Sequence, residues 1–278
     1  MEPIFSIVVV CLNAGEKLKT TLDSIIMQDF SGYEIVVKDG GSEDGSLAYI
    51  EQMRERLYRK ELHGEVSGIE LLTKKDNGIY DAMNQGADRA RGKLVYFLNC
   101  GDIFRDQNVL SRMAEFVKKH PAEHGIYYGN IYERMTGQVV NSNPRLDEFG
   151  CYRNVPCHQA CFYSRQLLLA HPFRKEYRVR ADYEQFLWCF FKGNATLYYT
   201  DMVIADYEGG GFSETPQNRK RSDQEHKEIA RQYMTTGQIL KYRLILLLTL
   251  APLRTRLARS RITAGLYNRM KRMIYGKG

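Results

Sequence analysis

Four short apolar runs, each stopping at a polar or glycine-bearing turn, constrain this chain's fold most. Ser6-Ile-Val-Val-Val-Cys-Leu12 stops at Asn13, and Glu34-Ile-Val-Val-Lys38 stops at Asp39. Ile69-Glu-Leu-Leu-Thr73 runs into the turn at Asp76, and Leu94-Val-Tyr-Phe-Leu98 into Asn99–Asp102. The first run is apolar and β-branched, as in a strand buried on both faces. Leu18, Leu22, Ile25 and Ile26 recur at helical spacing between the first two runs. Residues 47 to about 62 and 80 to about 91 also read as helices. Strands alternating with helices predict βαβ units and a mostly parallel α/β sheet. The four turns should then share one sheet edge, and ligands of such sheets bind outside the carboxyl ends of the strands.

The second half is less regular. Ile126–Tyr132 and Gln138–Asn141 read as antiparallel additions. Ala181–Phe191 reads as a half-buried helix, Ala195–Thr200 as a returning strand and Gly209–Ser213 as a flexible loop. The pattern gives one domain over residues 1–215 and a helical basic tail over 216–278.

Charge sets the tail apart. After Glu228 there are eleven Lys and Arg and no acid; the whole chain carries +7, so the remainder stands at −4. Leu253, Leu257, Ile262, Leu266, Met270, Met273 and Ile274 lie among those cations. The run Leu244–Leu253 is strongly apolar but only half the roughly 20 residues a spanning helix needs. The composition suits an amphipathic helix on an anionic membrane surface, through residues 237–278. Few aromatics and no reader motif argue against nucleic acid. The six cysteines lack CxxC spacing, and Met-Glu-Pro leads straight into a strand, so a reduced, cytoplasmic setting without a cleavable signal is expected.

The polar turns carry the candidate chemistry. Asp102, just past a strand end, can hold a divalent cation against a diphosphate. Asp39 precedes a Gly pair that lets the backbone approach a nucleoside, and its carboxylate can accept from a base N–H or ribose hydroxyls; it can equally close its own loop as an Asx turn. Asn13 can bind nucleotide or shape its turn. Asp44 reads as a helix N-cap. Asp81 and Asn84, three apart, share a helix face and could bind sugar hydroxyls.

Asn13, Asp39-Gly-Gly-Ser-Glu-Asp-Gly-Ser46, Asp76-Asn-Gly-Ile-Tyr-Asp-Ala-Met-Asn84, Tyr96-Phe-Leu-Asn-Cys-Gly-Asp102 and Ala181-Asp-Tyr-Glu184 occur in that order. Together they resemble family 2 glycosyltransferases of the GT-A fold, over roughly residues 4–215. With Pro156-Cys-His-Gln-Ala160, the resemblance is closest to the colanic-acid and exopolysaccharide branch.

The resemblance implies a nucleotide-sugar half over about 1–104, an acceptor half over about 105–215, and a Mg²⁺ or Mn²⁺ cofactor. It implies transfer, with inversion, from a nucleotide sugar to a hydroxyl of a glycan or lipid-linked glycan in surface-polysaccharide assembly. Asn13, Asp39, Asn77, Gly78, Asp81, Asn99 and Asp102 would bind donor, and Asp102 would also bind metal. The family's usual Asp-x-Asp-Asp is here Asn99-Cys-Gly-Asp102, which leaves one carboxylate. Asp182 matches the catalytic base, with Glu184 in reserve; His158 could contact acceptor or metal. Gly209–Ser213 resembles a loop that closes over the donor. The protein would then sit peripherally on the inner face of the plasma membrane. A non-catalytic nucleotide-sugar-binding or scaffold protein of the same fold is the alternative.

Overall fold

The computed structural model describes residues 2–59, 66–210 and 215–249. Two units emerge, residues 1–229 and 230–278. The first therefore runs beyond residue 215 and takes in most of the helix that follows.

Its centre, among the described residues, is a nine-stranded sheet. Strands β1 (Phe5–Cys11), β2 (Tyr33–Asp39), β3 (Val66–Thr73) and β4 (Leu94–Phe97) are the four expected runs, and they pair in parallel in the order β3-β2-β1-β4. Their carboxyl ends, with the four polar turns, lie along one edge. The connecting helices are α1 (Glu16–Ile26), α2 (Ser46–Tyr58) and α3 (Ile79–Arg89). Residues 60–65, where the α2 reading extends to Leu62, lie outside the described residues.

Strand side chains alternate between two buried faces, as a period of two requires. Phe5, Ile7, Val9, Ile35 and Val37 join the cluster formed by Leu18, Leu22 and Ile25 of α1 and Ile50 and Met53 of α2. The other face receives α3, so closely that a Cβ on Gly86 would lie 2.4 Å from Val8 Cγ1. With helices on both faces, β1 and β2 are buried along their whole length, which is why they read as continuous apolar runs.

Beyond β4 the sheet turns mixed. Strand β5 (Ile103–Phe104) and helix α4 (Val109–Lys119) lead to β6 (Gly125–Glu133) and β7 (Gln138–Val140). Helix α5 (Glu148–Arg153), a 3₁₀ turn at His158–Ala160, β8 (Cys161–Ser164), α6 (Arg165–Ala170), α7 (Ala181–Phe191) and β9 (Thr196–Tyr207) follow. Strand β8 inserts antiparallel between β4 and β6; β6 also pairs with β7 antiparallel and with β9 in parallel. The returning strand is twice the length read from sequence, because it continues through a register shift near Tyr128–Ile131. Of the Gly209–Ser213 loop, only Gly209 and Gly210 fall among the described residues. Helix α8 (Pro216–Tyr233) follows.

The second unit contains α9 (Thr236–Leu248), started by a reciprocal capping box between Thr235 and Gln238. Leu240, Leu244, Leu247 and Leu248 are exposed on it. No helix among the described residues is long and apolar enough to cross a membrane. Residues 250–278, most of the basic tail, lie outside them.

Candidate active site

Strand β1 has β2 on one side and β4 on the other, so the chain reverses direction across the sheet there. A cleft of about 530 Å³ opens above this switch point, lined in part by Cys11, Asn13, Lys17, Ile79 and Asn99. This is where an open α/β sheet receives a ligand.

The β1 and β2 turns are laced together. Asn13, held at φ 49°, accepts from Glu43 N–H at 2.9 Å on Oδ1, while its own N–H donates to Ser42 Oγ at 2.8 Å. Asp44 Oδ2 accepts from Gly15 N–H at 2.8 Å and Oδ1 from Ser46 N–H at 3.1 Å. The residue at the cap of α2 is Gly45, so Asp44 ties two loops together and is not the N-cap expected from sequence. Asp39 is fully buried and turned into its own loop. Its oxygens accept from Gly41 N–H at 2.8 Å, Ser42 N–H at 3.0 Å and Ser42 O–H at 2.5 Å. The glycine pair lets the loop fold back on the carboxylate, the Asx-turn outcome.

The third turn hangs on a pair that the strand pattern concealed. Lys38, fully buried, places Nζ 2.7 Å from Asp76 Oδ2 and 2.9 Å from the Asp39 carbonyl. Asp76 Oδ1 accepts from Gly78 N–H at 3.1 Å. Asp81 Oδ2 accepts from Asn77 N–H at 2.9 Å, and its Oδ1 lies 3.2 Å from Lys175 Nζ. Burial raises the Asp81 pKa, but Asn77 and Lys175 bring it below the ordinary carboxylate value. Asn77 and Gly78 are exposed beside the cleft. Asn84 does not join Asp81 as a sugar contact: its amide brackets the Phe173 backbone, donating to the carbonyl and accepting from the N–H, both at 2.8 Å.

The fourth turn is fastened by Thr21, whose hydroxyl donates to the Asp102 carbonyl at 2.8 Å and accepts from Gly101 N–H at 2.9 Å. Asp102 is buried. Oδ1 accepts from Glu208 N–H at 2.8 Å and Oδ2 from Gln159 Nε2 at 2.9 Å. Burial raises its pKa against those two bonds. Gln159 is itself oriented: its Oε1 accepts from the Cys157 thiol at 2.7 Å. Burial pushes that thiol up to about 12, so it stays a donor. Among the described residues, no three His, Cys, Asp or Glu side chains form a cluster able to hold a metal. Each Asp102 oxygen has a lone pair beyond the one its donor uses. The donor set therefore fits a cation that takes one protein carboxylate and completes its shell from phosphates and water, as Mg²⁺ does.

The 3₁₀ turn carries His158 next to Gln159. Tyr96 of β4 pins it by donating to the Gln159 carbonyl at 2.7 Å. His158 lies between strand edge and helix: Asn99 Nδ2 donates to its Nε2 at 3.1 Å, and its Nδ1 lies 3.5 Å from Asp182 Oδ2. The Tyr80 hydroxyl reaches Asp182 from α3, 3.0 Å from Oδ1 and 2.9 Å from the Val179 carbonyl. Burial raises the Asp182 pKa, yet His158 and Arg180 bring it net below its ordinary value. Asp182 is not the cap of α7; Arg180 occupies that position.

Asn99, His158 and Asp182 are thus brought into one line, with Asp102 joined through Gln159. Glu184 is not. It is fully buried and paired with His171 Nε2 at 3.0 Å, and that imidazole stacks on Trp188. Two residues along a helix is a turn of about 200°, so Glu184 faces away from Asp182. The carboxylate named as the reserve base is thus engaged with His171, away from the Asn99–His158–Asp182 group. Sequence reading also passed over Tyr80, Gln159, Glu208 and Lys38. Gln159 and Tyr80 carried a signal, through their places in Pro156–Ala160 and Asp76–Asn84.

The profile of Glycosyl transferase family 2 matches residues 6–182. The PGL/p-HBAD biosynthesis glycosyltransferase of Mycobacterium tuberculosis is 35% identical over 219 residues, covering 77% of this chain and 80% of that one. Among solved structures, the mannosyltransferase PcManGT from Pyrobaculum calidifontis, in complex with GDP-Man and Mn²⁺, matches with TM-score 0.63 at 17% identity. That match covers 98% of this chain and 81% of the other. S. aureus TarS 1-349 in complex with UDP-GlcNAc gives 0.61 at 19% identity, over 80% of this chain and 64% of that one. Fold and cleft define a glycosyltransferase of the GT-A architecture. The chain belongs to glycosyl transferase family 2.

Proposed function

We propose that this glycosyltransferase moves a sugar from a nucleotide-sugar donor in the β1–β4 cleft to a hydroxyl of a saccharide acceptor, with Asp182 as general base. The observation that carries this reading is the Asn99–His158–Asp182 line. It joins the strand edge, where a diphosphate would lie, to a half-buried carboxylate held ionised. A base must lie within hydrogen-bond reach of the proton it takes. Asp182 presents a carboxylate oriented by Tyr80 and His158 and kept ionised near neutrality. Attack by the activated hydroxyl on the anomeric carbon, opposite the departing diphosphate, inverts the configuration.

Asp102 would hold Mg²⁺ or Mn²⁺ together with the donor phosphates. When bound, such a cation neutralises charge on the leaving diphosphate. The GDP-Man and Mn²⁺ of PcManGT and the UDP-GlcNAc of TarS favour a donor of this class. Asn13, which lines the cleft, and Asn77, Gly78 and Asp81, on the turn that leads to the cleft residue Ile79, would be donor contacts. Asp39 acts through the loop it closes.

The acceptor in this reading is a lipid-linked glycan of surface-polysaccharide assembly, met at the cytoplasmic face of the plasma membrane. The cation-rich segment 237–278 would hold the protein there. Leu240, Leu244, Leu247 and Leu248 follow the i, i+4, i+7, i+8 spacing of one helix face and are exposed, which favours a lipid contact. Asp182→Asn tests the chemistry: donor binding retained and transfer lost supports it, whereas wild-type transfer overturns it.

A further inference from the structure

Glu225 of α8 takes no part in the cleft, yet its carboxylate gathers three consecutive backbone N–H groups. Oε1 accepts from Arg178 at 3.0 Å; Oε2 accepts from Val179 at 3.0 Å and Arg180 at 2.9 Å. Arg221, one turn earlier on α8, donates Nε to Oε1 at 2.9 Å. The Glu225 side chain is only 7% exposed. The three N–H groups lie immediately before α7, at the positive end of its macrodipole, where a carboxylate is favoured.

Two neighbours on the same face of α8 grip the same segment. Ser222 Oγ accepts from Arg180 Nε at 2.7 Å, and Glu228 Oε1 accepts from the Tyr177 hydroxyl at 3.1 Å. Residues 222, 225 and 228 are three apart and so share that face. The gripped segment leads straight into Asp182. Its Val179 carbonyl also accepts from Tyr80, the residue whose hydroxyl meets Asp182 Oδ1.

We propose that Glu225 is a positioning residue for the catalytic base: by clamping residues 178–180 it sets where Asp182 stands relative to Tyr80 and His158. This rests on the reading of Asp182 as base. In Glu225→Gln the side-chain NH₂ replaces one acceptor oxygen, so at least one backbone N–H loses its partner while volume is kept.

Two readouts test it. In hydrogen exchange, the amides of 178–180 should exchange about tenfold or more faster in Glu225→Gln, with the sheet amides unchanged. Turnover is followed as nucleoside diphosphate released from UDP-GlcNAc or GDP-mannose with Mn²⁺. Glu225→Gln should lower kcat by about 10- to 100-fold and leave the donor KM within about twofold, because the fault is one of placement. The double variant with Asp182→Asn should be no slower than Asp182→Asn alone. Wild-type exchange and kcat in Glu225→Gln would overturn the proposal, as would a loss that multiplies on top of Asp182→Asn. Full turnover in Asp182→Asn beside a slow Glu225→Gln would instead remove the base assignment, and the positioning role with it. If Glu225→Gln does not fold, Ser222→Ala loosens only the Arg180 side chain and should lower kcat by about two- to fivefold. Unchanged kcat in that variant overturns the proposal.

Discussion

His158 Nδ1 faces Asp182 Oδ2 at 3.5 Å, while Nε2 of the same ring accepts from Asn99 at 3.1 Å. One imidazole therefore spans from the β4 turn to helix α7. A proton on Nδ1 would point at the carboxylate and favour its ionised form.

This arrangement has a pH consequence. Asp182 acts when ionised, so activity falls as pH drops through its pKa. Burial raises that pKa, and His158 is the largest of the influences that bring it below the ordinary 3.8. In wild type the acid limb from Asp182 lies below that value, outside the usual assay range. In His158→Ala burial is less opposed, so the limb moves to higher pH, with kcat lowered about tenfold or more. A kcat–pH profile of both proteins reads this; an unmoved limb would separate His158 from the base.

Asp182→Asn should lower kcat by about 10²- to 10⁴-fold, the range for loss of a general base. Its donor dissociation constant should stay near wild type, since its side-chain partners are His158, Tyr80 and the Tyr183 N–H. Steady-state kinetics beside calorimetric titration of donor checks both.

Lys38→Met should lower stability by about 2–4 kcal/mol. It leaves Asp76 without its cation, and removing one partner of a buried pair costs several kcal/mol; the 12% exposure of Asp76 places the effect toward the lower end. Denaturant unfolding measures it. Donor affinity should weaken as well, because Asp76 holds the Gly78 turn at the cleft.

Gly86→Ala should destabilise by about 1–3 kcal/mol through overpacking. The new methyl would meet Val8 Cγ1 at 2.4 Å, and α3 could not settle onto β1. A thermal midpoint equal to wild type would contradict the packing.

Vesicle flotation tests the tail. The full chain should float with vesicles containing anionic lipid, lose that binding as salt rises, and lose it on deletion of residues 237–278. Undiminished binding after deletion would place the membrane contact elsewhere.

The parallel half of the fold was legible because its signal is local: Ser6–Cys11 and Glu34–Lys38 are buried on both faces and show it residue by residue. The mixed half was legible in part: β6, β7, α7 and the start of β9 stand where the pattern puts them, but β5 and β8 left no local signal. Strand β5 is two residues long, and β8 is held between β4 and β6 by partners distant in sequence. Among site residues, Asp102, His158 and Asp182 stood in recognisable motifs. Lys38 read as an ordinary strand end, because nothing local shows that its ammonium finds Asp76 beneath the sheet edge. Tyr80 and Glu225 act on Asp182 across 102 residues and on Val179 across 46. Glu184 shows the converse: its place in the Ala181–Glu184 motif suggested a reserve role, while the His171 that engages it lies 13 residues away and left no local signal.

The most direct test of the central claim is a thermal-shift panel of nucleotide sugars with Mn²⁺, run on wild type and Asp182→Asn, with transfer measured for the donor that binds. The expected result is one donor that raises the midpoint of both proteins equally and is consumed only by wild type. No shift with any donor in the folded protein, or equal turnover in Asp182→Asn, would contradict it.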